Sequence, residues 1–230
     1  MKYPLKKYVG DCDWVILENN WGKIFEELKI DPTQHYIIIL EEELLIYPKE
    51  VKEKMARIMF ETFQVKGLYF LKEPIYKWNI INYGYHNYCE FGIVIDLGDY
   101  STNITPIFDD FILPHACIKC DFGGKELDKY KVELLSLKCI DSIRKCDYEF
   151  EDKKKILIVL SVENSNNIYS NISERIKDEI FKEFHSSAIC RLFQEDEVPR
   201  YFYCCYSYQD FMTLTEWEEW GYTMLHRKFF

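Results

Sequence analysis

An α/β fold is what this sequence predicts, and three observations predict it. Short apolar runs rich in β-branched residues, above all Phe91–Ile95 and Lys155–Leu160, have the length of fully buried strands. Other stretches carry apolar residues at helical spacing, such as Val51, Met55, Ile58, Met59 and Phe63. The third observation is an acidic glycine turn, Asp96-Leu97-Gly98-Asp99, set directly after the first of those runs. A strand, an acidic glycine turn and a returning strand suit phosphate and magnesium binding. The turn's N–H groups can face phosphate oxygens while its carboxylates hold metal-bound waters. Taken alone, most such turns merely connect strands.

The elements follow in order. Trp21, Ile24, Phe25 and Leu28 form one apolar face of a core-facing helix. His35–Leu40 reads as a strand buried through Ile37, Ile38 and Ile39, and Pro48 sits at the favoured first position of the helix bearing Val51 to Phe63. Residues 74–90 show no assignable role beyond connecting two halves. After the turn, Ser101–Phe108 alternates as a second strand and Phe111–Ile118 supplies a third. Asp121, Gly123 and Gly124 punctuate the chain before a helix running from Lys125 to about Leu137. Ile172, Ile176, Ile180 and Phe184 mark a further amphipathic helix beyond Lys155–Leu160, and Tyr201–Tyr208 contains a strand.

Composition narrows the function classes. Of 230 residues 48% are hydrophobic and 17% aromatic, which suits one large or two small packed domains rather than global disorder. The 18 tyrosines and 16 phenylalanines are high counts, and aromatic surface not used in a core favours partner interfaces. A formal charge of −10 argues against nucleic acid or an acidic membrane as partner. Acidic clusters such as Glu41-Glu42-Glu43 read as solvated surface. No apolar run is long enough to span a bilayer, and Met1–Lys7 lacks a secretory signal's apolar segment. Nine cysteines then read as reduced thiols of the cytosol or nucleus. Cys117-x-x-Cys120 has metal-like spacing but no second pair to complete a zinc site, so no metal is assigned to it.

The wording of Phe91–Asp128 is more specific than its pattern. Gly-Ile-Val-x-Asp-x-Gly-Asp, Pro106-Ile107, Leu113-Pro114-His115-Ala116 and Asp121-x-x-Gly124-x-x-Leu127 resemble the second phosphate hairpin of actin and the actin-related proteins. Pro48-Lys49, Glu53-Lys54-Met55 and Ile58–Phe63 look like another run of that family, as does the ending from Glu216 through Gly221 and His226-Arg227-Lys228 to Phe230. The resemblance implies an actin-like, ribonuclease H-like fold reduced to two lower subdomains. Residues 1–88 plus 208–230 would form the first, and 89–207 the equivalent of actin's third. The family's first phosphate loop would precede Lys2. Lys138–Lys145 resembles a segment that normally follows an upper subdomain, yet here it follows the helix ending near Leu137 directly.

The departures bear on activity. Glu73 and Asn103 fall where actins carry a glutamine and a histidine that orient the attacking water, so no catalytic residue is assigned and ATPase activity is expected to be lost. Leu97 replaces a phosphate-binding serine and Tyr100 a glycine. Ser161 leads into Val162–Asn167 where the family places a glycine pair against the nucleotide. Asp96, Gly98 and Asp99 remain as a remnant of the cofactor hairpin, and no bound ATP or Mg2+ is expected. The implied function is a non-catalytic structural subunit of an actin-like or actin-containing assembly, a pointed-end cap or terminal subunit in the cytoplasm, cytoskeleton or nucleus. Its partners would be actin, actin-related proteins or other subunits. The alternative is an actin-like ATPase holding Mg-ATP through Asp96, Gly98 and Asp99.

Overall fold

In a computed structural model, the chain is described over residues 13–41, 49–84, 88–98, 101–123, 129–146, 156–162, 178, 188–193 and 207–230. It divides into two units, Met1–Lys72 with Tyr206–Phe230, and Glu73–Cys205. The division differs from the expected one at residues 206–207, which fall in the first unit, and over residues 73–88, which fall in the second, where the helix Glu73–Gly84 packs on that unit's strands.

The first unit is built on a three-stranded sheet of order β1-β2-β9. Strands β1 (Tyr36–Glu41) and β2 (Gly67–Lys72) run parallel, and β9 (Met212–Thr213) is antiparallel to β2. Parallel neighbours need a crossover. Helix α2 (Lys49–Arg57) supplies it, continued by a π-turn over Ile58–Thr62. Its predicted face is right: Val51, Met55, Ile58 and Met59 are buried and Phe63 packs beside them. Helix α1 (Trp14–Leu28) is capped by Asp13, whose side chain accepts from the Ile16 N–H. It buries the stripe Trp14, Leu17, Trp21 and Phe25, whereas Ile24 and Leu28 are exposed. Trp21 and Phe25 of the predicted face therefore point to the core, and Ile24 and Leu28 do not. Strand β1 is also less buried than expected. Ile37, Ile38 and Ile39 are half-buried, since β1 is the edge strand among the described residues of this sheet. Its last residue, Glu41, is not solvated surface: it is buried and ion-paired to Lys52 at 2.9 Å. Helices α5 (Leu214–Trp220) and α6 (Tyr222–Phe229) close the unit. Thr213 and Glu216 form a capping box at the start of α5.

In the second unit a six-stranded sheet has the order β5-β4-β3-β7-β8, with β6 also paired to β4. Strands β3 (Phe91–Leu97) and β4 (Thr102–Phe108) are an antiparallel hairpin. Strands β7 (Ile156–Val162) and β8 (Ala188–Leu192) continue parallel to β3 on its other side. The run predicted as one strand over Phe111–Ile118 is two, β5 (Phe111–Ile112) and β6 (Ile118–Cys120). Pro114 divides them, opening a 3-10 turn over Pro114–Ala116 and offering no ladder donor. One sheet face carries Phe91, Ile93, Ile95 and Leu97 and is covered by Leu135, Cys139 and Ile143 of α4 (Lys129–Lys145). Spacing of four residues puts those three on one stripe. Helix α4 runs unbroken through Leu137 and Lys138, so nothing is inserted between the predicted helix and the segment after it.

Several predicted features lie outside the described residues: Pro48, the start of the helix near Lys125, the loop after Val162, nearly all of the helix from Ile172 to Phe184, and residues 201–206. Tyr208 itself lies in a short 3-10 turn, Tyr208–Asp210. No described helix is long and apolar enough to cross a membrane.

Candidate functional site

Helix α3 (Glu73–Gly84) builds the site. Glu73 and Pro74 suit a helix's first turn, one by its charge and the other by its fixed φ. The helix has almost no apolar face to speak of, because it is buried nearly all round: Lys77, Trp78, Asn79, Ile80, Ile81 and Asn82 are all in the interior. This is why 74–90 shows no legible role in the sequence. Trp78 and Ile81 pack on the second face of the sheet with Val94, Ile107, Leu157 and Val159. Two features seat the helix there. Gly92 leaves room for the indole, since a Cβ on it would lie 2.3 Å from the Trp78 ring and 2.1 Å from the Leu157 carbonyl oxygen. The Trp78 indole N–H donates to Asp110 at 2.9 Å, and Tyr83 donates to the same carboxylate. Asp109 and Asp110 make the two-residue β4–β5 turn with φ of 48° and 63°. At the far end, the Asn82 amide donates to the Cys89 carbonyl and accepts from its N–H, at 3.1 and 2.9 Å.

So seated, α3 delivers Lys77 to the end of β3. Its ammonium donates to Asp96 at 2.8 Å and lies 2.7 Å from the Glu73 carboxylate one helical turn earlier. Lys77 is only 5% exposed. Burial alone would push its pKa down, but the Asp96 and Glu73 carboxylates outweigh it and hold the pKa above the usual lysine value. Asn103 on β4 and Ser161 on β7 are the register partners of Asp96, so both share its face of the sheet. The Asn103 side-chain oxygen is buried without a hydrogen-bond partner. The predicted residues Glu73, Asp96 and Asn103 thus come together, and Lys77 is the member that sequence reasoning missed. The Glu73–Lys77 spacing of four was its one visible signal.

The other predicted residues fall differently. The Gly98 N–H is used inside the hairpin, donating to the Ser101 carbonyl at 3.0 Å. Leu97 is buried in the core on the α4 side. Asp99 and Tyr100 lie outside the described residues. Cys120 is buried, and Cys117 donates to the Leu113 carbonyl at 3.4 Å. Among the described residues no group of three or more His, Cys, Asp or Glu is placed to hold a metal ion.

A family model for actin matches residues 3–200, most of the chain. The chain belongs to the actin family. Its second unit carries the antiparallel hairpin of the resemblance, with β7 and β8 parallel to β3 on its other side. In this hairpin the Asp96 carboxylate is ion-paired to Lys77, the Gly98 N–H is bonded within its own turn, and position 97 holds a core leucine.

Proposed function

We propose that this actin-family chain is a non-catalytic structural subunit of an actin-like or actin-containing assembly. The observation that carries the reading is Lys77, an internal ammonium engaging both Glu73 and Asp96 where the family's chemistry would need a free carboxylate and an oriented water. Glu73 accepts an ion pair there, and Asn103 shares the face without a partner. Nothing in this constellation activates or aligns a nucleophile. The fold does not depend on the missing chemistry, because α3, the sheet and α4 form a packed second unit with apolar cores on both faces.

Continuity of α4 supports a more specific reading. An upper subdomain that would enter the chain after Leu137 has no place in an unbroken helix. Subunits of head-to-tail assemblies continue a filament only while each presents both complementary surfaces. A chain keeping the lower face and lacking that upper part would join a filament's pointed end and offer nothing to the next subunit. Elongation assays with actin seeds blocked at one end or the other test this. Inhibition of pointed-end growth alone is expected; inhibition confined to barbed ends, or self-assembly into filaments, would refute it.

A further inference from the structure

We propose that Lys77 is a tethered cation standing in for a divalent ion, so that the second unit carries its own counter-charge and is closed to metal. This rests on the reading that the chain works without nucleotide, and it goes beyond that reading by assigning the residue responsible.

The geometry is that of a cation site filled from within. Two carboxylates from different elements, Glu73 on α3 and Asp96 on β3, approach one buried charge at 2.7 and 2.8 Å. Two further oxygen-bearing side chains, Asn103 and Ser161, flank Asp96 on the neighbouring strands. Carboxylate, amide and hydroxyl oxygens are the ligand class of hard divalent cations. A lysine suits the substitution: its ammonium is a compact charge with three donors on a long stem, able to serve both carboxylates at once. The stem reaches the site because Trp78, the next residue, is locked over Gly92 and tied to Asp110. An ordinary buried salt bridge would share the two distances. What separates the proposal from it is a prediction about metal: without the ammonium, the same oxygens should take an ion.

The test uses the full chain, with Mn2+ as the probe. Wild-type protein is expected to bind no Mn2+ at this site by electron paramagnetic resonance and to melt at the same temperature with or without the metal. Lys77→Ala should melt lower in buffer, bind one Mn2+ per chain and regain melting temperature in proportion to the logarithm of metal concentration. Lys77→Ala/Asp96→Asn should lose that uptake. Should Lys77→Ala accumulate only as insoluble protein, the neutral triple variant Glu73→Gln/Lys77→Met/Asp96→Asn is expected to be soluble, and its insolubility would overturn the counter-charge role. The proposal is also overturned if Lys77→Ala takes up no Mn2+, or if the wild type binds it with loss in Asp96→Asn. Mg-ATP binding by the wild type would overturn the structural-subunit reading instead, so the two fail separately.

Discussion

Replacing Gly92 by alanine tests what seats α3, and through it Lys77. The added Cβ would meet the Leu157 carbonyl oxygen at 2.1 Å and the Trp78 ring at 2.3 Å. The first of these atoms is backbone of the adjacent parallel strand, so either β3 shifts from β7 or the helix lifts from the sheet. Overpacking of a close-packed core costs about 1–3 kcal/mol. If the indole moves, its buried N–H loses Asp110, adding roughly 1–3 kcal/mol for an unsatisfied donor. The sum is about 2–6 kcal/mol. At roughly 2–4 °C per kcal/mol for a chain of this size, the second unit's transition should fall by about 4–24 °C. Scanning calorimetry resolves the two units if they melt separately. Trp78 is the sole tryptophan of residues 73–205, so its emission reports the same event. A variant melting within about 2 °C of wild type, with unchanged emission, would refute the close seating of Trp78 on Gly92.

Two further outcomes concern the first unit. Lys52→Met strands the buried Glu41 carboxylate and should destabilise by about 3–5 kcal/mol, while Lys52→Met/Glu41→Leu recovers most of the loss, as denaturant unfolding would show. Burial would raise the pKa of Glu216, but hydrogen bonds from Thr213 and the Lys228 ammonium at 3.0 Å outweigh it and hold it below its ordinary value of 4.5. Its contribution is therefore present above that value and is lost as pH falls through the depressed folded one. Acid titration of stability should show this loss in wild type and not in Glu216→Gln.

The parts of the fold legible in the sequence were those whose residues obey one period. Phe91–Ile95 and Ile156–Leu160 became central strands because both sheet faces are covered, and a two-sided strand must be apolar throughout. Helix α2 showed its face because only one side is buried. Where burial is edge-limited the pattern misled. The apolar Ile37–Ile39 run lies on the edge strand of the described sheet, and Ile24 and Leu28 face outward beside a stripe that Trp14 and Leu17 begin. Helix α3 was illegible for the opposite reason, since burial on every side leaves no amphipathic signature. The site was half legible. Resemblance drew attention to Glu73, Asp96 and Asn103, but their meeting with Lys77 depends on how α3 is laid across β3. No local spacing encodes that contact across 19 residues.

Calorimetric titration of purified full-length protein with Mg-ATP, after exhaustive dialysis, tests the central claim most directly. The account predicts no heat of binding and no shift in melting temperature at millimolar nucleotide, because the Asp96 carboxylate is held by Lys77 and the Gly98 N–H by Ser101. Saturable binding with an upward shift, lost in Asp96→Ala, would contradict it.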